Sequence, residues 1–139
     1  MAALAQERLT DFYGQVPGRK TLPMKAATTI YKGALVAIDA SGNAQPAGAT
    51  AGGSVRCLGV ASATMANPGA AGAQKIEVTP GIYKFLNKGG DLVTAAMVGA
   101  DCYVEDDQTV RLTATGAPVA GKVVMVESDG VRVLVGMMS

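Results

Sequence analysis

Histidine is absent from this chain, and so is tryptophan. Without histidine the commonest general base and the commonest metal ligand are both missing. A serine or cysteine nucleophile would then need Lys, Asp or a terminal amine as its base, and no Ser-x-x-Lys spacing occurs. No Gly-x-x-x-x-Gly-Lys-Ser/Thr phosphate loop is present either. Only two cysteines occur, Cys57 and Cys102, too few for a structural zinc site in a chain with no histidine. Both lie in strand-like stretches, "VRCLGV" and "ADCYV", and read as small buried hydrophobes rather than as a disulfide. Aromatic residues make up 4% of the chain, which speaks against sugar binding and against stacking platforms for single-stranded nucleic acid. Net charge is +1, so no concentrated basic surface is available to neutralise phosphates. No apolar run approaches the ~18 residues of a membrane span. The start, "MAALAQERLTDFYG", lacks a basic n-region and an apolar h-region, and the expectation is synthesis in a reducing cytoplasm.

What is present is small and apolar. Hydrophobic residues make up 49% of 139 residues, most of them Ala and Val. One globular domain with a thin core follows, the kind of core that gains from surface buried against neighbouring subunits. Eighteen glycines and six prolines punctuate it.

From Met24 onward the chain reads as β-structure. "GALVAID" is a strand closed by the turn "ASGNA", and "GSVRCLGVASATM" is another that passes through Gly59. "KIEVTPGIYKFL" alternates, with Ile76, Val78, Ile82 and Phe85 expected inward, and Pro80-Gly81 breaks it into two short strands or marks an edge strand with a bulge. "ADCYVED" and "TVRLTA" flank Asp106-Asp107-Gln108, a tight hairpin. The acids of that hairpin, with Glu105, are hard-cation ligands by type, but a solvated turn is the reading that Asp in a turn favours. Asp129-Gly130 joins "GKVVMVES" to "VRVLVGMM", which puts Val131, Val133 and Val135 on one face and Arg132 and Leu134 on the other. Leu92 to Val98 alone suggests a short helix inside the domain. Seven or eight short strands with frequent turns predict an all-β fold, a small barrel or sandwich of short antiparallel strands.

Residues 1–23 differ in texture and read as an N-terminal arm ahead of a β domain over 24–139. Ala3 to Phe12 has room for one or two helical turns, and Pro17 and Pro23 bar any longer helix. Leu4, Leu9, Phe12, Tyr13 and Val16 are the candidate anchors of this arm for a partner, and Arg8, Arg19 and Lys20 its candidate partners for carboxylates.

One recurrence stands out. "TIYKGALVAID" and "AAMVGADCYVED" each run from an apolar turn through Gly-Ala into a strand that ends in acid, with Gly33 and Gly99 standing 66 residues apart. Further on, Gly59 and Gly121 precede or interrupt strands at an offset of 62. Either one structural unit is used twice, or an Ala- and Gly-rich chain matches itself by chance.

The phrases "IYKGALVAIDASGNAQPA", "VRCLGVAS" and "MVGADCYVEDDQTVRLTA", with the polar arm and the C-terminal hairpin, resemble the head-decoration, or capsid cement, proteins of tailed bacteriophages. The likeness runs from about Met24 to Met138 and is one of texture, with no catalytic or ligand residue to carry over. It implies a structural, non-enzymatic virion protein without cofactor or metal. Such a protein is made in the bacterial host cytoplasm and sits on the capsid exterior. It implies a homotrimer that clamps the major capsid protein of the expanded bacteriophage head, with the arm gripping in trans and adding little to its own fold. Nucleic acid and membrane are not among its implied partners. The other readings are a different virion subunit, of baseplate or tail tube, and a small-ligand or sugar-binding β-barrel.

Overall fold

A computed structural model describes residues 3–15, 18–48 and 56–136. The described chain is nearly all β, with one turn of 3-10 helix at Ala95–Met97 in place of the helix expected from Leu92. It holds thirteen strands among the described residues, more and shorter than the seven or eight expected. In chain order they are β1 (Phe12–Gln15), β2 (Lys20–Pro23), β3 (Thr28–Ile30), β4 (Leu35–Ile38), β5 (Ala44–Pro46), β6 (Arg56–Ala61) and β7 (Met65–Asn67). There follow β8 (Lys75–Thr79), β9 (Gly81–Asn87), β10 (Asp101–Asp106), β11 (Thr109–Arg111), β12 (Val119–Glu127) and β13 (Gly130–Val135). No described helix is long and apolar enough to cross a membrane.

Ten of the strands form two five-stranded units side by side, while β1 adds to β9 of the second and β3 pairs with β7. In the second, β9, β11, β10, β12 and β13 are neighbours in that order, and β13 pairs back onto β9, so the sheet closes into a barrel. In the first, the order is β2, β8, β6, β4, β5. A single parallel bridge between Met24 and Ala44 joins its two outer members.

These two units have the same plan, which answers the question raised by the recurrence. Hairpin β4–β5 pairs Ile38 with Ala44, and hairpin β10–β11 pairs Val104 with Val110, the same positions 66 residues on. Val36 opposes Gly59 beside a bulge in β4–β6, and Cys102 opposes Gly121 beside a bulge in β10–β12. The hydrogen bonds match as well. Gly33 N–H donates to Ala61 O (3.1 Å) and Ala61 N–H to Ala34 O (3.0 Å); Gly99 N–H donates to Val123 O (2.8 Å) and Val123 N–H to Ala100 O (2.9 Å). Gly33 and Gly99 take φ of 90° and 89°, a left-handed turn that glycine adopts without the Cβ clash. Lys25 N–H reaches Ala44 O at 2.9 Å, and Lys88 N–H reaches Val110 O at 3.0 Å, where each first strand meets its hairpin.

Burial follows the sequence pattern within each strand. In β13, Val131, Val133 and Val135 are fully buried while Arg132 and Leu134 are not, as the alternation predicts. In β9 the inward residues are Gly81, Tyr83 and Phe85, so Ile82 faces the other way from the expectation. The break at Pro80 restarts the two-residue period, and alternation read through it slips by one. The β4 run "LVAI" and the β6 run "CLGVA" are buried on both faces. Their alternate residues serve two cores. Val36, Leu58 and Ala61 join Met24, Ile76 and Val78 inside the first unit. Leu35, Ala37, Cys57 and Val60 pack outward against Phe85, Val104, Val110 and Val133 of the second.

The N-terminal residues are part of this architecture, which corrects the boundary expected at Pro23. β1 pairs antiparallel with β9, Phe12 opposite Tyr83, and β2 pairs antiparallel with β8, Leu22 opposite Ile76. Because β8 and β9 are separated only by Pro80, β1 and β2 lie against successive parts of one strand run, β1 on the second unit and β2 on the first. Backbone pairing, which uses no large side chain, is why this segment looked too polar to belong to the fold. The helical turns expected between Ala3 and Phe12 do not form; residues 3–11 are irregular, with a bend at Ala5-Gln6 and no continuous apolar face.

Candidate interaction surface

The N-terminal segment crosses both units on one side of the molecule. Leu4 is half-buried against the apolar cluster of the first unit, and its N–H donates to Asp107 Oδ1 at 2.9 Å. Arg8 turns inward: its N–H donates to Lys32 O, and its guanidinium donates to Thr10 Oγ1 at 3.1 Å. Burial lowers the Arg8 pKa, and the carboxylates of Asp11 and Asp107 counter that shift. Thr10 Oγ1 donates to Gly33 O at 2.6 Å, and the Thr64 hydroxyl donates to the Glu7 carboxylate.

Three apolar side chains of this segment stay in the open. Leu9 is 90% exposed, Phe12 51% and Tyr13 41%. They are held from behind. The Phe12 ring rests on Tyr83 with centroids 5.1 Å apart, and Arg132 stacks on Tyr13 at 3.9 Å from the ring centre, a cation–π contact. Arg132 is fixed in turn by Glu127, Nη2 to Oε2 2.9 Å. Lys84 ties the same hairpin to the segment, with Asp129 at 2.7 Å and Asp11 at 3.9 Å. Beneath Leu9 and Phe12 lies a groove of about 290 Å³, walled by Val60, Ala61, Thr79 and Tyr83.

The candidate residues therefore separate into groups. Leu9 and Phe12 come together as an outward apolar stripe beside one groove, whereas Tyr13 lies on the other face of the sheet, against Arg132. Leu4 and Arg8 are committed inward. Arg19 stands 3.9 Å from Glu77 with both side chains exposed, and Lys20 Nζ donates to Gly18 O, so both cations are engaged by local partners at the surface. Val16 lies outside the described residues.

Tyr83, Lys84, Arg132 and Asp107 are the residues that sequence reasoning missed. The first three sit on β9 and β13, and only pairing across the sheet brings them under the segment. Asp107 corrects the picture of a solvated hairpin tip: it is 1% exposed. Its main chain is pinned, Leu35 N–H donating to Asp107 O at 2.8 Å, and the N-terminal segment lies across its carboxylate. Burial is the main cause that drives its pKa up, to about 6.

Little reactive chemistry is built into the rest. Both cysteines are buried and free, and desolvation pushes both thiols up, Cys102 to about 12. A thiol so raised is not a nucleophile at neutral pH. Among the described residues no group of three or more Cys, Asp or Glu is placed to hold a metal ion. Gly116 to Lys122 carries the spacing of a phosphate loop without its hydroxyl residue, and Gly121-Lys122 lies inside β12 instead of at a helix start.

Comparison of the chain with family models, with curated proteins and with solved structures returns no match.

Proposed function

We propose that this protein is a non-enzymatic decoration, or cement, protein of a tailed-bacteriophage head. It binds the outside of the expanded shell as a homotrimer and stabilises the lattice of the major capsid protein. The observation that carries this reading is the apolar stripe of Leu9 and Phe12, exposed beside one groove, with Phe12 fixed on a strand paired to β9. An apolar stripe presented on a rigid support loses little entropy on docking. The capsid surface is the partner that the sequence resemblance supplies.

Other features support it. Two closed or nearly closed β units leave few free strand edges, which suits a protein displayed at high copy number beside identical neighbours. Weak contacts repeated through a trimer add by multivalency, and a three-fold arrangement gives each subunit a heterologous contact. The grip differs from a free arm. Because β1 and β2 belong to the sheets, the gripping surface is built on the fold, with Phe12 on β1 and Leu9 just ahead of it, and is not an independent tail.

The test is co-sedimentation with expanded heads stripped of decoration. Wild type is expected to bind expanded heads and not unexpanded ones, and to run as a trimer by light scattering. The double change Leu9→Ser, Phe12→Ser is expected to keep the melting temperature and lose at least tenfold in affinity, about 1.4 kcal/mol. Unchanged binding by that variant would remove the stripe from the interface, and failure of wild type to bind any expanded head would end the reading.

A further inference from the structure

We propose that residues 3–10 form a detachable strap, latched onto the chain's own hairpin β10–β11 through Asp107 and loosened when that carboxyl group ionises. The inference concerns the isolated protein and holds whatever its partner is.

The strap is held differently from everything after it. From Phe12 onward the segment is fixed by the β1–β9 ladder, by the Phe12–Tyr83 ring contact and by Arg132 on Tyr13. Between Ala3 and Thr10 there is no ladder. Its recorded polar ties to the barrels are point contacts: Leu4 N–H on Asp107, Arg8 on the carbonyls of Lys32 and Lys84, Thr10 on Gly33, and Glu7 with Thr64. Leu4 is its one partly buried large apolar side chain, and Leu9 points away. Segments held by a few isolated hydrogen bonds open at the low end of the free-energy range, without unfolding the domain.

Asp107 makes this opening conditional. The hairpin tip is anchored by its own backbone, so the tip stays when the strap leaves. The side chain is 1% exposed, and the strap supplies the Leu4 N–H against it. The charged groups acting on it are Arg8 from the strap, which favours the ionised form, and Asp106 from the hairpin, which opposes it; Asp11 lies near Arg8. Burial outweighs the hydrogen bond and Arg8, and sets the group near 6 instead of 3.8. Lifting the strap lets water reach the carboxylate, so ionisation favours the open form. A carboxyl whose pKa is raised by docking favours docking fully below its ordinary pKa, and that preference is lost as pH rises through about 6. The strap is stowed in acid and loosened at neutral pH, where a neighbouring surface competes for it.

Amide hydrogen exchange on the full chain tests this. The Leu4 protection factor, corrected for intrinsic exchange, is expected to fall about tenfold from pH 5 to pH 8. The Val131 and Val133 amides in the core hairpin report global unfolding and are expected to hold constant. Asp107→Asn is expected to keep Leu4 protected and to abolish the pH dependence, since the amide is neutral throughout. If that variant folds poorly, the wild-type profile with its two core controls decides alone. Leu4 protection that does not change with pH, or that falls equally in Asp107→Asn, would overturn the proposal.

Discussion

The first unit, centred on Val36 and Val78, and the second, centred on Val104 and Val133, share a plan and differ in how they close. In the second, the seven-residue β9 is paired along both edges: with β13 over five residues on one side, and with β1 and then β11 on the other. In the first, the corresponding strand β2 has four residues and ends in Pro23, and one bridge at Met24 completes the ring. Proline has no N–H to donate, so the ladder cannot continue there. Their faces differ too. Strands β4 and β6 of the first unit are apolar on both sides, because one side fills their own barrel and the other covers the second. Strands β10 and β13 alternate, with one face toward the core. A duplicated plan thus yields a barrel self-sufficient in its strand pairing and a companion closed by a single bridge, with one apolar cluster shared between them.

Aspartate at matched core positions separates the two most sharply. Val133→Asp places an unpaired charge at a fully buried site of the self-sufficient barrel, and complete loss of cooperative melting is expected. Val78→Asp at the corresponding site is expected to disorder the first unit while Val131 and Val133 amides keep measurable protection. Simultaneous loss of both units in Val78→Asp would show that they form a single cooperative block.

Removing residues 1–23 is the next largest perturbation. It strips β1 from β9 and β2 from β8 and leaves the first unit without its closing strand. A melting temperature lower by about 10 °C is expected, roughly 3 kcal/mol for a chain of this size, measured by circular dichroism. This reverses the expectation of an arm that adds little to its own fold, and an unchanged melting temperature would restore it.

The smallest effect sits at the two left-handed glycines. Gly99→Ala has open space for its methyl and is expected to cost about 1 kcal/mol from backbone strain alone. Gly33→Ala has the same φ, but its methyl would strike the Arg8 carbonyl and the Thr10 hydroxyl. A larger loss of stability in urea is expected there, and it should shrink to the Gly99→Ala value when residues 1–10 are deleted. Equal costs in the full chain would mean that the N-terminal segment does not press on that turn.

The sequence alone carried the periodic part of this protein. Alternation in "VRVLV", Asp129-Gly130 at a hairpin, and the Gly-Ala recurrence all report local backbone geometry, which a residue's own conformational preferences encode. The open stripe of the candidate surface was half legible for the same reason, since Leu9 and Phe12 are neighbours in the chain. Tertiary structure alone decided the rest. Phe12–Gln15 and Lys20–Pro23 became sheet because β8 and β9 offered unpaired backbone, and peptide groups pair whatever side chains they carry. Asp107 gained its Leu4 N–H partner because a segment about a hundred residues earlier folds back to it. Closure of each ring was decided by strands distant in sequence, and the weight of that closure fell on the barrel whose closing strand has no proline.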